Sequence, residues 1–225
     1  MSRVNIAIDG PSGAGKSTLA KMMAEELGFI YVDTGAMYRA IGLHVLRNGI
    51  DVSHKEDIER CLDDICIDIR YIDNAQRVIL NGEDVSGLIR TEEVSKYASD
   101  VSALPAVRKF LLSLQRNLAE KNSVIMDGRD IGTVILPHAE IKIFLTACDF
   151  DRARRRYSEL LEKGHDVTFE GVLESIRQRD KNDCERELAP LHPAKDAVIV
   201  DTTGLTLSQA TEILRKVIRE KMPNV

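Results

Sequence analysis

The stretch that decides the fold is Gly10-Pro11-Ser12-Gly13-Ala14-Gly15-Lys16-Ser17, which fits the pattern G-x-x-x-x-G-K-[ST] at every fixed position. An apolar run at residues 4–8 precedes it, and a helical pattern starts at Thr18. This strand–loop–helix context is typical of a P-loop, whose backbone N–H groups and following helix dipole hold nucleotide phosphates. The glycines allow the backbone to curl around an oxyanion.

Two side chains of this loop have predicted chemical roles. Lys16 would reach the β- and γ-phosphates of ATP, and the hydroxyl of Ser17 would ligate Mg²⁺. The stretch from Gly10 to Thr18 is therefore the predicted ATP-binding segment, with Mg²⁺ as the cofactor.

The composition is that of an ordinary globular protein. The 225 residues are 44% hydrophobic and 30% charged, and the net charge of −5 argues against sequence-independent nucleic-acid binding, which needs a basic surface. Aromatic residues make up 4% and Trp is absent, so a base-stacking platform is not expected. No apolar run reaches the ~18 residues of a membrane span and no signal peptide is recognisable, so we expect a cytoplasmic protein.

The four cysteines form no metal-binding pattern. They contain no CxxC pair and lie in segments of different character, which favours four reduced thiols over a zinc site. No exposed apolar stripe calls for a partner subunit, and we expect a monomer.

Short apolar runs alternate with helical patterns along most of the chain, which predicts a parallel sheet flanked by helices. The five core strands are expected at residues 4–8, 29–32, 124–126, 141–145 and 197–200, and helices at 18–27, 36–47 and 105–120. Thr206 and Gln209 resemble a capping box that opens a final helix. The residues of that helix expected to face inward are Ile213, Leu214, Val217 and Ile218.

Two segments depart from this alternation. Residues 50–103 are acidic and contain two strand patterns, at 65–69 and 77–80, joined by a polar turn around Asp73 and Asn74. Asn81-Gly82 marks another tight turn, so we expect an inserted subdomain with a small antiparallel sheet. Residues 149–193 form two charged helices joined by a polar connection at 162–168. The arginines of this second segment are Arg152, Arg154, Arg155, Arg156, Arg177, Arg179 and Arg186.

The remaining motifs separate the classes of P-loop protein. The chain has no N-K-x-D for guanine, and Met126-Asp127-Gly128 lacks the second acidic residue of a motor-type ATPase. Arg39 and Arg129 instead follow two of the strands. Arginines at strand ends suit two phosphate-bearing ligands that meet head-on, since phosphoryl transfer is catalysed mostly by positioning and cationic clamping. A solvated helix face remains the alternative interpretation of the arginine-rich helices.

Five motifs together resemble the bacterial cytidylate kinase family over essentially the whole chain. The resemblance implies one domain of residues 1–225, with a P-loop core at about 1–36, 104–148 and 188–225. It also implies a nucleoside monophosphate-binding subdomain at about 37–103, a helical lid at about 149–187, and transfer of the ATP γ-phosphate to CMP and dCMP with Mg²⁺. The motifs are residues 10–18, Asp33 to Arg39, Gly82 to Ser86 with Ile89 to Thr91, Asp127 to Val134, and Ala189 to Leu191.

The same resemblance assigns roles to individual residues. The acceptor phosphate would be held by Thr34, Arg39, Arg129 and Arg186; the cytosine edge would be read by Ser99, Arg108 and Asp130; and Arg179 and Asp183 would approach the ribose. The catalytic set would be Lys16, Arg129, Arg179 and Arg186, and the lid arginines expected to contact ATP are Arg155 and Arg156. Thr34 replaces the serine common at its position and keeps the hydroxyl.

Some of these assignments have simpler interpretations. Arg129 and Asp130 could form only an internal ion pair, and Arg108, on the polar face of an otherwise apolar helix, is equally consistent with a solvated side chain. At the level of function, the alternatives are a kinase for another nucleoside monophosphate such as UMP, and a non-catalytic P-loop nucleotide sensor.

Overall fold

The computed structural model describes residues 3–73 and 75–222. Its strands and helices alternate over most of the chain, as the sequence predicts. In chain order they are β1 (Asn5–Asp9), α1 (Lys16–Leu27), β2 (Ile30–Asp33), α2 (Thr34–Arg47), α3 (Lys55–Cys61), β3 (Ile67–Ile72), β4 (Ala75–Leu80), β5 (Glu83–Asp84), α4 (Glu92–Ser102), α5 (Pro105–Lys121), β6 (Val124–Gly128), β7 (Ile141–Thr146), α6 (Asp149–Glu162), α7 (Phe169–Glu185), β8 (Val198–Asp201) and α8 (Leu207–Lys221).

A five-stranded parallel sheet forms the centre of the fold, in the order β2-β6-β1-β7-β8. On the central strand, Ile6 pairs with Ile125 of β6 on one side and Ile141 of β7 on the other. Strands buried on both faces carry nearly continuous apolar runs, and that pattern is what the sequence analysis detected. The predicted fold class, an α/β P-loop core with a separate small antiparallel sheet, is confirmed.

The chain divides into two compact units, Met1–Tyr31 with Asn122–Val225, and Val32–Lys121. In the larger unit, α1 and α8 bury apolar residues such as Leu19 and Leu214 in one core with Ile6, Ile125 and Ile143 of the sheet. The capping box of Thr206 and Gln209 is present at the start of α8. This core provides the rigid support for the P-loop.

The inward orientation predicted for Ile213 is wrong, because its side chain is 38% exposed. Helix α8 buries Ala210, Thr211, Leu214 and Ile218 instead, which are the positions three and four residues apart on one face. Ile213 lies about 100° around the helix from Leu214, on the flank of that face.

The smaller unit contains the predicted antiparallel sheet, in the order β3-β4-β5. Ile67 pairs with Leu80 and Ile72 with Ala75. Asn81 and Gly82 connect β4 to β5 with positive φ angles of 50° and 88°, as a two-residue hairpin turn requires. Of the expected polar turn before β4, Asn74 lies outside the described residues.

Helix α4 is an element that the sequence analysis missed inside the acidic segment. Its signals were present: Thr91 caps the helix by accepting from the N–H of Val94, and acidic residues occupy the first turn. Val94, Ala98 and Val101 are buried at helical spacing. These signals were overlooked because residues 50–103 were interpreted together as an acidic segment that contains a small antiparallel sheet.

Helices α2 and α4 cross closely at Gly42. A Cβ atom added at Gly42 would lie 2.8 Å from the backbone N of Ala98. We therefore expect Gly42→Ala to reduce the free energy of unfolding by about 1–3 kcal/mol through overpacking, although alanine is the better helix former. Urea unfolding measures the change. Gly87→Ala is the matched control, since nothing lies within 4 Å of its added Cβ, and an equal effect of both changes would contradict the packing argument.

All four cysteines, at 61, 66, 148 and 184, are free thiols. Among the described residues, no helix combines the length and the apolar character that crossing a membrane requires.

Candidate active site

The P-loop connects the end of β1 to the start of α1. Its backbone shape depends on glycine, since a Cβ at Gly10 would lie 1.9 Å from the carbonyl oxygen of Leu145. Gly13 and Gly15 have positive φ angles of 76° and 89°. Helix α1 begins at Lys16, two residues earlier than predicted, and Gly15 at its N-cap has no side chain to bond the first-turn N–H groups. Those N–H groups and the helix dipole therefore favour an anion.

Lys16 is buried at the base of this loop, with 6% of its surface exposed. Its ammonium donates to the carbonyl oxygen of Pro11 at 2.7 Å. Burial, followed by the positive charge of Arg129, lowers the pKa of Lys16 to about 7 against the opposing charge of Asp127. An incoming phosphate would stabilise the charged form, because an opposite charge nearby offsets the cost of burial.

Ser17 and Asp127 together provide oxygen atoms suited to Mg²⁺. The hydroxyl of Ser17 donates to Oδ2 of Asp127 at 2.7 Å, and the hydroxyl of Tyr31 donates to Oδ1 at 3.1 Å. Hydroxyl and carboxylate oxygens are the hard ligands that Mg²⁺ prefers. From the sequence, Ser17 alone was predicted to bind the metal. The position of Asp127 at the end of an apolar strand was the sequence signal that could have identified it as a second candidate ligand.

Asp9, the last residue of β1, connects the P-loop strand to the segment after β6. Its carboxylate accepts one N–H from Ile131 at 2.7 Å and one from Gly132 at 2.8 Å. Burial raises the pKa of Asp9 to about 6, although these two hydrogen bonds favour the ionised form. The carboxylate thus fixes the backbone directly after Arg129 and Asp130. No role was predicted for Asp9 from the sequence.

The raised pKa of Asp9 predicts a pH-dependent effect of Asp9→Asn. Between pH ~4 and ~6 the folded protein binds this proton more tightly than the unfolded chain, so Asp9 makes wild-type stability fall as pH rises through that window. In the variant, the NH₂ group of the amide cannot accept the second of these two backbone N–H groups. Relative to wild type with a protonated carboxyl, this loss lowers the free energy of unfolding by about 1–3 kcal/mol. We therefore expect the stability difference between wild type and variant to shrink from pH 4 to pH 7.

Urea unfolding at several pH values measures this difference. Asp68→Asn is the control, because the carboxylate of Asp68 is exposed and forms a surface ion pair with Arg70. This change should alter the free energy of unfolding by less than ~0.5 kcal/mol at every pH. A pH-independent difference for Asp9→Asn would show that this carboxylate does not titrate in the window.

Arg129 belongs to a buried cluster of arginines and carboxylates in the larger unit. Its Nε donates to Oδ2 of Asp183 at 2.7 Å. Arg186 lies 3.8 Å from Asp183 and 3.8 Å from Asp130. Burial alone would raise the pKa of Asp183, but the charges of Arg129, Arg179 and Arg186 hold it below its usual value. The predicted acceptor-site residues Arg129, Asp130, Arg179 and Arg186 of this unit are therefore brought together around Asp183.

The arginines of α6 have different surroundings. Arg155 donates to the carbonyl oxygen of Thr202 at 2.8 Å and lies about 4.0 Å from a Cβ built on Gly15, beside the P-loop. Arg156 bonds Glu159 at 3.0 Å on its own helix. Helices α6 and α7 share a small apolar core that includes Leu160 and Ile176.

The smaller unit carries its own arginine cluster at the start of α2. Asp33 caps α2 by accepting from the N–H of Ala36 at 2.9 Å, and its Oδ2 accepts from Arg39 at 2.9 Å and from Arg90 at 3.0 Å. Burial favours the neutral acid, but the two guanidinium groups hold the pKa of Asp33 below its usual value. Thr34, the first residue of α2, is buried. Arg90 lies in a motif quoted above, but sequence reasoning gave it no role.

Arg108 and Ser99 lie on α5 and α4 of the same unit. Arg108 is 8% exposed, donates to the carbonyl oxygen of Ser102 at 3.1 Å, and stacks 5.7 Å from the ring centroid of Tyr38. The alternative of a solvated Arg108 is therefore wrong, because a cation–π contact and a carbonyl hold it inside the unit. Ser99 is half-buried, and its carbonyl accepts from the hydroxyl of Ser102.

The parallel sheet, the P-loop with its buried lysine, and the arginine clusters define a P-loop kinase. A family model described as cytidylate kinase matches residues 6–220, and the chain belongs to that family. The relatives include cytidylate kinases from Caldicellulosiruptor saccharolyticus, 53% identical over 97% of this chain and 95% of the relative, and from Bacillus subtilis, 44% identical over 97% and 98%. An uncharacterized protein from Eubacterium ventriosum, 14% identical, shares the fold with a TM-score of 0.53 over 97% of this chain and 99% of its own.

Proposed function

We propose that this protein transfers the γ-phosphate of ATP to CMP and dCMP, releasing ADP and CDP or dCDP. The observation that carries the proposal is the cluster of Arg129, Arg186, Asp130 and Asp183 in the same unit as the P-loop. A nucleotide sensor needs only the P-loop, whereas a second set of half-buried arginines suits a second phosphate-bearing ligand. Membership of the cytidylate kinase family supports cytosine as the acceptor base.

On the donor side, we assign residues Gly10 to Thr18 to the triphosphate, with Arg155 and Arg156 as lid contacts. The position of Arg155 beside the P-loop supports its assignment, while Arg156 would have to leave Glu159 to reach ATP. Ser17 and Asp127 would hold Mg²⁺, directly or through water. When bound, the ion neutralises charge on the β- and γ-phosphates.

We propose acceptor contacts for each unit by itself. In the larger unit, we assign Arg129 and Arg186 to the phosphate, Asp130 to the cytosine amine, and Arg179 and Asp183 to the ribose. In the smaller unit, Thr34 and Arg39 would bind the phosphate, and Ser99 and Arg108 the cytosine edge. The guanidinium groups held by carboxylates in each unit support these assignments, because arginine binds phosphate through two parallel hydrogen bonds.

In the proposed transfer, the protein binds and orients the two nucleotides, and no side chain forms a covalent bond with them. An oxygen of the CMP phosphate attacks the γ-phosphorus, the bond to the β–γ bridging oxygen breaks, and ADP leaves with that electron pair. A phosphate monoester has its second pKa near ~6, so the nucleophile is already anionic at neutral pH and no side-chain base is required. Lys16, Arg129, Arg179 and Arg186 would stabilise the charge that accumulates between the two nucleotides.

We further propose that residues 149–187 act as a lid, which would exclude water from the transfer. Their small separate apolar core supports movement of α6 and α7 as one body. Residues 37–103 would form the acceptor-binding subdomain, and residues 1–36, 104–148 and 188–225 would form the core. We also expect a cytoplasmic monomer, and its net charge of −5 supports the expectation that it binds no nucleic acid.

Phosphorus NMR of ATP, Mg²⁺ and CMP with the protein tests the proposal. We expect the γ-phosphate resonance of ATP to decrease while the resonances of CDP and ADP grow in equal amounts. Inorganic phosphate without CDP would indicate an ATPase, and nucleotide binding without turnover would favour the sensor. A product from UMP but none from CMP would favour the uridylate alternative.

A further inference from the structure

Arg152 of α6 is a buried arginine of the lid, with only 5% of its side chain exposed. Its Nε donates to the carbonyl oxygen of Ala147 at 2.9 Å, and its Nη1 donates to the carbonyl oxygen of Ser12 at 3.0 Å. Both terminal nitrogens also bond the carboxylate of Asp180 on α7, in a two-pronged arrangement. One guanidinium group therefore joins the P-loop, α6 and α7.

The P-loop backbone packs directly against Arg152. A Cβ added at Gly13 would lie 3.2 Å from Cβ of Arg152, and the positive φ of 76° at Gly13 also favours glycine. Because the N–H groups of Arg152 bond protein oxygens in this arrangement, the residue is poorly placed to act as a ligand of ATP. Its function must come from what it holds in place.

The group that it holds is the peptide between Ser12 and Gly13. In a planar trans peptide the C=O and N–H bonds point in opposite directions, and the described chain contains no cis peptide. Fixing the Ser12 carbonyl on Arg152 therefore fixes the Gly13 N–H on the opposite side of that peptide plane. Inward-pointing N–H groups are what a P-loop offers to phosphate.

Asp180 also lies in the part of α7 that faces Arg129. Its charge contributes, after those of Asp183 and Asp127, to holding the pKa of Arg129 above its usual value despite burial. Asp183 lies one helical turn further along and bonds Arg129. The two carboxylates of α7 thus bond Arg152 and Arg129. A shift of this helix would therefore move the hydrogen-bond partners of both arginines.

We propose that Arg152 and Asp180 are a positioning pair, which orients the Ser12–Gly13 peptide of the P-loop and couples it to the lid helix that carries Arg179 and Asp183. This inference rests on the proposed phosphoryl transfer. It concerns residues that do not themselves touch the nucleotides, and it gives the lid a mechanical connection to the donor site.

The test compares this pair with a second ion pair between the same helices. Arg177 bonds Asp149 at 2.7 Å, but the two side chains are 57% and 36% exposed and contact solvent rather than the P-loop. We would measure kcat, the KM values for ATP and CMP, ADP affinity by calorimetry, and Tm for Arg152→Lys and Asp180→Asn. The controls are Arg177→Lys and Asp149→Asn.

For Arg152→Lys we expect kcat to fall about 30- to 100-fold, since small misplacements in an active site cost up to ~10²-fold. ADP affinity and KM for ATP should weaken at least ~10-fold, because one ammonium cannot replace the fork that holds the peptide, while KM for CMP changes less than ~3-fold. Asp180→Asn should show the same pattern more weakly, and it carries the test if Arg152→Lys does not fold. The exposed controls should stay within ~2-fold of wild type.

The inference is overturned if Arg152→Lys and Asp180→Asn both keep kcat and ADP affinity within ~2-fold of wild type. It is equally overturned if they lose only Tm, or if the exposed controls lose as much activity. Failure of the wild-type protein to phosphorylate CMP would refute the proposed function instead. The loss of ADP affinity would still be measurable in that case, so the two failures are distinguishable.

Discussion

Lys16→Ala is expected to lower kcat for phosphoryl transfer by on the order of 10³-fold or more. The ammonium is the only side-chain charge of the loop between Gly10 and Thr18, and it lies buried against the Pro11 carbonyl. In such a water-poor site, a charge aimed at the transferred phosphoryl group acts in a low dielectric and needs no reorganisation. Removing one preorganised group of this kind from other enzymes costs about 10²–10³-fold.

Folding of this variant should not suffer, which separates the catalytic effect from a structural one. Burial lowers the pKa of Lys16 to about 7, so the folded state keeps this ammonium at a free-energy cost. Tm of Lys16→Ala is therefore expected to equal or exceed that of wild type. Lys21→Ala is the control, because Lys21 is an exposed residue of the same helix, and its ammonium lies 5.4 Å from the centroid of the Tyr31 ring. Turnover above ~10% of wild type in Lys16→Ala would contradict the assigned role.

Asp130→Asn is expected to reduce the preference for CMP over UMP by about 100-fold or more. A carboxylate only accepts hydrogen bonds, so in its proposed role Asp130 would pair with the cytosine amine and would repel the uracil oxygen at the same position. Sites that bond such a group can discriminate by about 10⁴-fold. The amide of asparagine can turn either its oxygen or its NH₂ toward the base, so it tolerates both pyrimidines.

The Asp130 variant also needs a readout that a purely structural role would not produce. Asp130 is 5% exposed and lies 3.8 Å from Arg186, which keeps Asp183 as a second partner. Steady-state kinetics should therefore show a higher KM for CMP, a lower KM for UMP, and a KM for ATP within ~3-fold of wild type. Equal losses for ATP and CMP would show that Asp130 only supports the fold.

The sequence predicted the sheet and its P-loop because these features have strong local signals. Apolar runs mark the buried parallel strands. The glycines of the loop pattern mark the positions where the P-loop backbone needs a positive φ angle or a close approach to its neighbours. The exposed Ile213 and the missed helix α4 show where such signals weaken. The buried face of a helix and its exposed flank can differ by a single residue, as Leu214 and Ile213 do. The amino-acid composition of a helix as short as α4 does not distinguish it from the segment around it.

The site was harder to predict because several of its residues act through partners distant in sequence. Asp9 bonds backbone groups more than 120 positions away, and Arg152 reaches Ser12 across 140. No spacing rule connects such pairs. Asp127 and Arg90 were visible in quoted motifs, but only the folded chain shows that one accepts from Ser17 and the other shares Asp33 with Arg39.

The most direct test of the account is the acceptor specificity of the wild-type enzyme. Initial rates of ADP release would be measured with MgATP and each of CMP, dCMP, UMP, AMP and GMP, and compared as kcat/KM. The account predicts that the two cytosine nucleotides are the best acceptors, with UMP behind CMP by about 10³-fold or more, since uracil would present an oxygen to a carboxylate. A higher kcat/KM for any acceptor without cytosine would contradict it.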